Sequence, residues 1–199
     1  MRTNLFMTAV AIAVVCAAIA PGAYAAQGES ISFRMVRSAG AAGCLKEGAR
    51  GTVTISDNGL VQNMHVEVFN LPANTEFATF LLQVPNKPFG LSWYQGDILT
   101  DSRGRGVGDF TGIFSKETFI QAPGVAPAPS IFRDDATSNP ATAPVQIYHL
   151  GIWFANPADS SNTGCGDAVT TFDGDHQAGI QVLNTSNFPD GHGPLLNLE

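Results

Sequence analysis

Short stretches of alternating apolar and polar residues recur along most of the chain. In "SISFRMV", Ile31, Phe33 and Met35 alternate with other residues, and in "GTVTISDNGLVQNMHVEVFNL" two alternating stretches flank "DNG". A period of two places successive side chains on opposite faces of a strand, and Asn-Gly tolerates the positive φ that a tight hairpin requires. These stretches therefore predict strands joined by short turns.

Further strands are predicted wherever apolar stretches are bounded by turn-forming residues. They are "TEFATFLLQVP", "FGLSWYQGDILTD", "DFTGIF", "ETFIQ", "VQIYHLGIWF", "AVTTF" and "AGIQVLN". Two loops, "APGVAPAPS" and "RDDATSNPATAP", interrupt the series. The short, regular spacing predicts an all-β sandwich or barrel. One short helix is expected in "NPADSSN", with Asn156 as its N-cap and Pro157 in its first turn.

The first 25 residues have the three-part pattern of a secretory signal peptide. Arg2 precedes an apolar stretch over residues 9–20, and "AYA" predicts cleavage after Ala25. The apolar stretch is shorter than the roughly 20 residues that a membrane-spanning helix needs, and no second one follows. We therefore expect a secreted protein with one domain, residues 26–199, and no transmembrane segment.

The cysteines favour one disulfide. Cleavage removes Cys16 and leaves Cys44 and Cys165. In an oxidising compartment, two remaining cysteines are more simply explained as a pair than as a catalytic thiol with an unpaired partner.

Charge is unevenly distributed along the chain, whose net charge is −7. Basic and acidic residues cancel over residues 26–133, but no lysine or arginine follows Arg133. Such an acidic surface repels phosphates, so nucleic acid is not expected as a partner. It could attract cations, although acidic surfaces more often serve solubility.

One acidic cluster has the chemistry of a cation site. "FDGDHQAG" brings Asp173, Asp175 and His176 together, and these groups bind Ca²⁺, Mn²⁺ or Zn²⁺ if a further ligand such as His149 approaches them. The alternative is a polar hairpin tip, because Asp-Gly is typical turn chemistry. His149 itself lies in a strand that is apolar on both faces. A structural hydrogen bond is therefore its favoured interpretation, and metal binding the alternative.

Aromatic residues suggest a different kind of site. Trp93, Tyr94 and Trp153 lie in predicted strands, and rings exposed side by side would stack on sugars, whereas burial in one core is the alternative. Hydrolase motifs such as G-x-S-x-G and H-E-x-x-H do not occur, and no G-x-G-x-x-G opens a helix. We therefore expect a non-enzymatic protein that needs no cofactor, with a divalent cation as the alternative.

The segments "YHLGIWFANPADSSNTGC … FDGDHQAGIQVLNTSNF" and "LPANTEFATFLLQVPNKPFGLSWYQGDILTD" cover much of the mature chain. They resemble a group of secreted bacterial proteins of unknown function. Their L-P-x-x-T … G-D-x-x-T-D layout is also similar to immunoglobulin-like sandwiches and to chordin-type extracellular domains. The resemblance implies an extracellular, antiparallel Greek-key sandwich of the immunoglobulin-like kind, and it implies no catalytic residues. The expected function is to bind a protein partner or a cell-surface component.

Overall fold

The computed structural model describes residues 28–123, 142–173 and 176–198. Within them the chain forms twelve strands, one short α-helix and two 3-10 turns. The strands are β1 (Ser30–Arg37), β2 (Arg50–Asn58), β3 (Val61–Phe69), β4 (Glu76–Leu82), β5 (Ser92–Leu99), β6 (Gly106–Gly112), β7 (Phe119–Pro123), β8 (Thr142–Gln146), β9 (His149–Phe154), β10 (Thr170–Asp173), β11 (His176–Ala178) and β12 (Gln181–Asn184). The helix, α1, spans Pro157–Asn162. The predicted signal peptide and most of the two predicted loops between β7 and β8 lie outside the described residues.

Eight of these strands form one antiparallel sheet, in the order β5-β4-β9-β12-β1-β2-β3-β6. Its two end strands, β5 and β6, are consecutive in the chain and meet at a bridge between Thr100 and Gly106. The sheet therefore curls until its ends approach each other. Strands β4, β5 and β6 follow one another, and β6 lies beside β3, which is a Greek-key arrangement. The all-β prediction with one short helix is confirmed for the described residues.

The hairpin of β2 and β3 shows how the alternating pattern becomes a buried face. The two strands pair without interruption from Arg50–Phe69 to Asn58–Val61. Inward-facing apolar side chains of both strands are fully buried, whereas His65 lies on the opposite, outer face. There its Nδ1 lies 2.6 Å from Oδ1 of Asp109 on β6. The predicted hairpin is confirmed, including the separation of its two faces.

One predicted strand, "VQIYHLGIWF", is in fact two. Its first part is β8, which pairs with β7 in a separate two-stranded ribbon, and its second part is β9 in the main sheet. The chain leaves one sheet and enters the other at Ile147 and Tyr148. The Ile147 N–H donates to the carbonyl of Thr118 (3.3 Å), and the Tyr148 hydroxyl donates to the carbonyl of Lys116 (3.1 Å). These two hydrogen bonds fix the two residues that separate β8 from β9.

Strand β9 is central, with β4 on one side and β12 on the other, and all six of its residues are buried. Its Leu150, Ile152 and Phe154 belong to the main core. Its Trp153 belongs instead to a second cluster on the outer face of the sheet, against which Phe89 packs. The outer face is therefore covered in part by the loop between β4 and β5.

The predicted disulfide joins Cys44 and Cys165, whose Cα atoms are 5.0 Å apart. Cys44 lies between β1 and β2, and Cys165 follows α1. The helix begins as predicted, because the side-chain oxygen of Asn156 accepts from the N–H of Ala158 (2.8 Å) and Pro157 occupies the first turn. At its other end, the Cys165 N–H donates back to the helix (2.9 Å). The crosslink therefore ties the β1–β2 connection to the end of α1.

Candidate functional site

His149 is fully buried at the start of β9. Its Nε2 lies 3.0 Å from the carbonyl oxygen of Asp190, which only accepts hydrogen bonds, so Nε2 carries the proton. Its Nδ1 lies 2.9 Å from Oγ1 of Thr185 and accepts from that hydroxyl. Burial lowers the pKa of His149 below its ordinary value and outweighs the contacts with Asp190, which raise it. A neutral imidazole with both nitrogens engaged is a structural histidine.

The predicted acidic cluster lies on the hairpin of β10 and β11. Asp173 and His176 are cross-strand neighbours in this hairpin. Asp175 and the side chains of Asp173 and His176 lie outside the described residues. The hairpin joins the sheet at the far end of β9, about 16 Å along the strand from His149. Within the described part of the chain, no three His, Cys, Asp or Glu side chains are grouped so that they could hold a metal ion. A cation site at the hairpin stays a prediction.

The predicted sugar-stacking residues do not form one platform. Tyr94, Phe80, Trp153 and Phe89 make a row of rings on the outer face of the sheet, with successive centroids 5.5, 5.3 and 5.0 Å apart. Trp153 is only 3% exposed within this row. Trp93 is 54% exposed, but as the neighbour of Tyr94 along β5 it points to the opposite face. The three rings therefore present no common exposed plane.

A cleft of about 550 Å³ opens beside this row of rings, and we call it the Trp153 cleft. Its floor consists of Trp153, Ile180 and Gln181. Its walls come from three separate segments, namely Ser38 to Gly40, Asn86 to Phe89, and Ala168 to Thr170. The volume lies within the range of about 300–1,000 Å³ that is typical of small-molecule sites.

Buried amides hold one wall of the Trp153 cleft in place. Both Gln181 Nε2 and Asn184 Nδ2 donate to the carbonyl of Pro85, at 3.1 and 3.2 Å. Asn184 Nδ2 also donates to Gln181 Oε1 at 2.9 Å, so the two side chains support each other. These bonds fix the loop between β4 and β5 against β12. The Cys44–Cys165 disulfide holds the other two walls, because Cys44 closely follows the first and Cys165 closely precedes the third. The cleft is therefore formed before any ligand arrives.

A second surface lies where β5 and β6 separate, and we call it the seam groove. It has a volume of about 450 Å³, a floor of Leu81, Phe114 and Ile147, and a rim that includes Trp93 and Phe119. Trp93 is 54% exposed and Phe119 50%. In the part of the chain that the structure describes, β5 and β6 are the ends of the sheet and share only the Thr100–Gly106 bridge. Beyond that bridge, the two strands diverge along the groove.

A β-bulge explains why β5 and β6 separate. Thr79 pairs with Gly96 but Phe80 pairs with Tyr94, so Gln95 is an extra residue on β5. Bulges bend a strand and increase its twist, which ends regular pairing. Gly96 has a φ of +145°, and a Cβ there would lie 2.9 Å from the Phe110 ring. Glycine is thus required at this position by both backbone and neighbour.

Sequence reasoning missed both the cleft and the groove, because each combines segments far apart in the chain. One sequence signal for the groove was not used. Gly106, Gly108 and Gly112 share the inner face of β6 with Phe110. A Cβ at Gly108 would meet Ile98 and Phe110 at 2.8 Å, so neighbouring side chains fill the space that β6 leaves. Glycine inside a strand often marks a bulge, a bend or a close approach of another group.

No protein-family model matches the sequence, and a search of curated proteins gave no match either. The resemblance to secreted bacterial proteins therefore stays a prediction.

Proposed function

We propose that the protein is a secreted, non-enzymatic module that binds a protein partner through the seam groove. The observation that carries this proposal is the exposure of large apolar side chains where β5 and β6 separate. Trp93 and Phe119 are each about half exposed, and Ile113 next to them is 43% exposed. Contiguous apolar surface on an otherwise acidic protein is typical of an interaction site.

The geometry favours an extended peptide segment as the bound part of the partner. β5 and β6 are the end strands of the sheet, and a peptide can add as a strand where they separate. The groove floor of Leu81, Phe114 and Ile147 offers apolar contacts to every second side chain of that strand. The expected ligand is a peptide with alternating apolar residues.

The secreted location is supported by two features. The first 25 residues have the pattern of a signal peptide, and the Cys44–Cys165 disulfide is of a kind that persists in oxidising compartments. N-terminal sequencing of protein recovered from the medium or envelope of an expressing cell should begin at Ala26. Recovery of uncleaved protein from the cytoplasm, with free thiols, would contradict this part of the proposal.

Binding through the groove can be tested with a displayed library of extended peptides. We expect the wild-type protein to select peptides with alternating apolar residues, and Trp93→Ser and Phe119→Ser to bind the selected peptides at least about tenfold more weakly. Leu99→Ser is the matched control, because Leu99 is an exposed apolar residue at the other end of β5. Equal binding by Trp93→Ser and Leu99→Ser, or no selection at all, would refute the groove as the site.

A second candidate function, cation binding, is favoured by one observation, the cross-strand pairing of Asp173 with His176. Thermal unfolding in chelator and then with Ca²⁺, Mn²⁺ or Zn²⁺ tests it. At 100 times its dissociation constant a ligand stabilises the folded state by about 2.7 kcal/mol, which raises Tm by roughly 5–10 °C in a domain of this size. The shift should vanish in Asp173→Asn. Identical melts in all solutions would remove this function.

A further inference from the structure

We propose that the Trp153 cleft binds a small amphiphilic carboxylate, with its apolar body in the cleft and its carboxylate at Lys87. This site is separate from the seam groove and does not depend on peptide binding there. The floor and one wall are aromatic, since Trp153 and Phe89 meet edge to face at 5.0 Å between centroids. Ile180 and Val169 continue the apolar lining, and Val169 is 46% exposed. Apolar side chains around a formed cavity require an apolar ligand body.

The charge of the residues that line the cleft indicates which polar group the ligand carries. Among the described residues that line the cleft, Lys87 is the one charged side chain, and no carboxylate lies with it. This is unusual in a chain with a net charge of −7. Lys87 is exposed at the rim, where its ammonium group can reach a carboxylate without leaving water. Charge complementarity therefore selects an anionic head group.

A neighbouring amide adds a hydrogen-bond donor at the same rim. The Oδ1 of Asn86 lies 3.4 Å from the Asn184 Nδ2, which directs the Asn86 amide nitrogen away from Asn184. Carboxylate oxygens only accept hydrogen bonds, so a donor amide and an ammonium group beside each other match a carboxylate. An ammonium head group would be repelled by Lys87, and a neutral polar head group would form no ion pair with it.

The contacts that hold the walls preorganise the cleft for a ligand. Gln181 and Asn184 hold the loop that carries Asn86 and Lys87, and the disulfide holds the two other walls. Because the walls are already fixed, little conformational entropy is lost when a ligand binds. The affinity should therefore fall when the disulfide is reduced, even though neither cysteine lines the cleft.

Trp93→Phe provides the background in which to test this proposal, because Trp153 is then the one tryptophan left in the chain. Decanoate, kept below its micellar concentration, is titrated while Trp153 emission is followed, and binding is repeated by calorimetry. We expect a saturable change with decanoate and a much weaker one with decanol and with decyltrimethylammonium. Lys87→Gln should weaken decanoate binding about tenfold and leave decanol unchanged.

Two further variants separate the possible outcomes. Lys46→Gln is the matched control, since Lys46 is an exposed lysine outside the cleft and should bind decanoate as the parent does. Ala168→Phe places a ring in the cleft and should abolish binding. Equal affinities for decanoate and decanol would overturn the anionic head. Decanoate binding that persists in Ala168→Phe would overturn the location, and no binding of any probe by the folded parent would overturn the ligand class.

Discussion

Replacing Cys44 and Cys165 by serine measures how much stability the crosslink adds to the sheet. The bond joins residues separated by 121 positions. In the chain-entropy model a loop of that length removes about 16 cal/mol/K from the unfolded ensemble, which is about 5 kcal/mol at 25 °C. For a domain of this size, a loss of that magnitude lowers Tm by roughly 10–20 °C. Because β1, β9 and β12 pair through backbone bonds, we expect the variant to keep its fold.

The assay is urea unfolding of the oxidised wild type, both single variants and the double variant. Each single variant breaks the same bond, so Cys44→Ser and Cys165→Ser should each lose about as much free energy of unfolding as the double variant. Reduced wild-type protein should match them. Because the crosslink restricts the unfolded chain, its removal should also raise the m-value. Intact mass, about two daltons lower for the oxidised protein, confirms the bond before each measurement.

Two results would refute this reasoning. A loss below about 1 kcal/mol, with the bond verified by mass, would show that loop closure does not control stability in this chain. Losses that add up across the two single variants would show that each cysteine acts through its own packing and not through a shared bond.

Three other substitutions test the buried polar groups and the bulge. Burial lowers the pKa of His149 in the folded protein. Below about pH 6.5 the unfolded chain therefore binds a proton at His149 that the folded chain does not bind. The free energy of unfolding should then fall by at most about 1.4 kcal/mol per pH unit as the pH decreases. Urea unfolding at several pH values should show this dependence in the wild type and in His192→Gln, whose imidazole is exposed, and a flatter curve in His149→Gln; parallel curves would contradict the assignment. Gly96→Ala should lose about 1–3 kcal/mol in urea unfolding because of its positive φ, and an unchanged midpoint would argue against a rigid bulge. Thr100→Val removes the hydroxyl that accepts from the Thr75 N–H at 3.0 Å and should cost about 1–3 kcal/mol, whereas a loss under 0.5 kcal/mol, roughly the effect of a surface substitution, would show that water replaces it.

The elements that the sequence predicts correctly depend on local chemistry. The β2–β3 hairpin follows from alternation around Asn58 and Gly59, and α1 follows from Asn156 and Pro157 at its start. The disulfide follows from counting the cysteines. In the hairpin and the helix, neighbouring residues carry the physical cause, whereas the disulfide needed only the number of cysteines, so none of the three required knowledge of the rest of the fold.

The break between β8 and β9 has no such local cause. "VQIYHLGIWF" is rich in apolar and aromatic residues, and nothing between Gln146 and His149 resembles a turn. The chain changes sheets there because the backbone of Ile147 and the hydroxyl of Tyr148 bond to a segment about 30 positions earlier. The cleft and the seam groove depend on contacts between equally distant segments, which is why their residues could not be grouped in advance.

The burial of β9 on both faces explains why a cleft exists at all. A strand that is apolar on both faces must be covered on each, and here Trp153 on the outer face shares its cluster with Ala178 of the small β10–β11 sheet. Phe89, in the loop between β4 and β5, also packs against this cluster. The side-chain amides of Gln181 and Asn184 on β12 donate to the Pro85 carbonyl and so fix the position of that loop. The depth of the cleft therefore depends on Gln181 and Asn184, whose amides fix the loop. It follows that Asn184, which does not line the cleft, should affect ligand affinity as strongly as Lys87 at its rim.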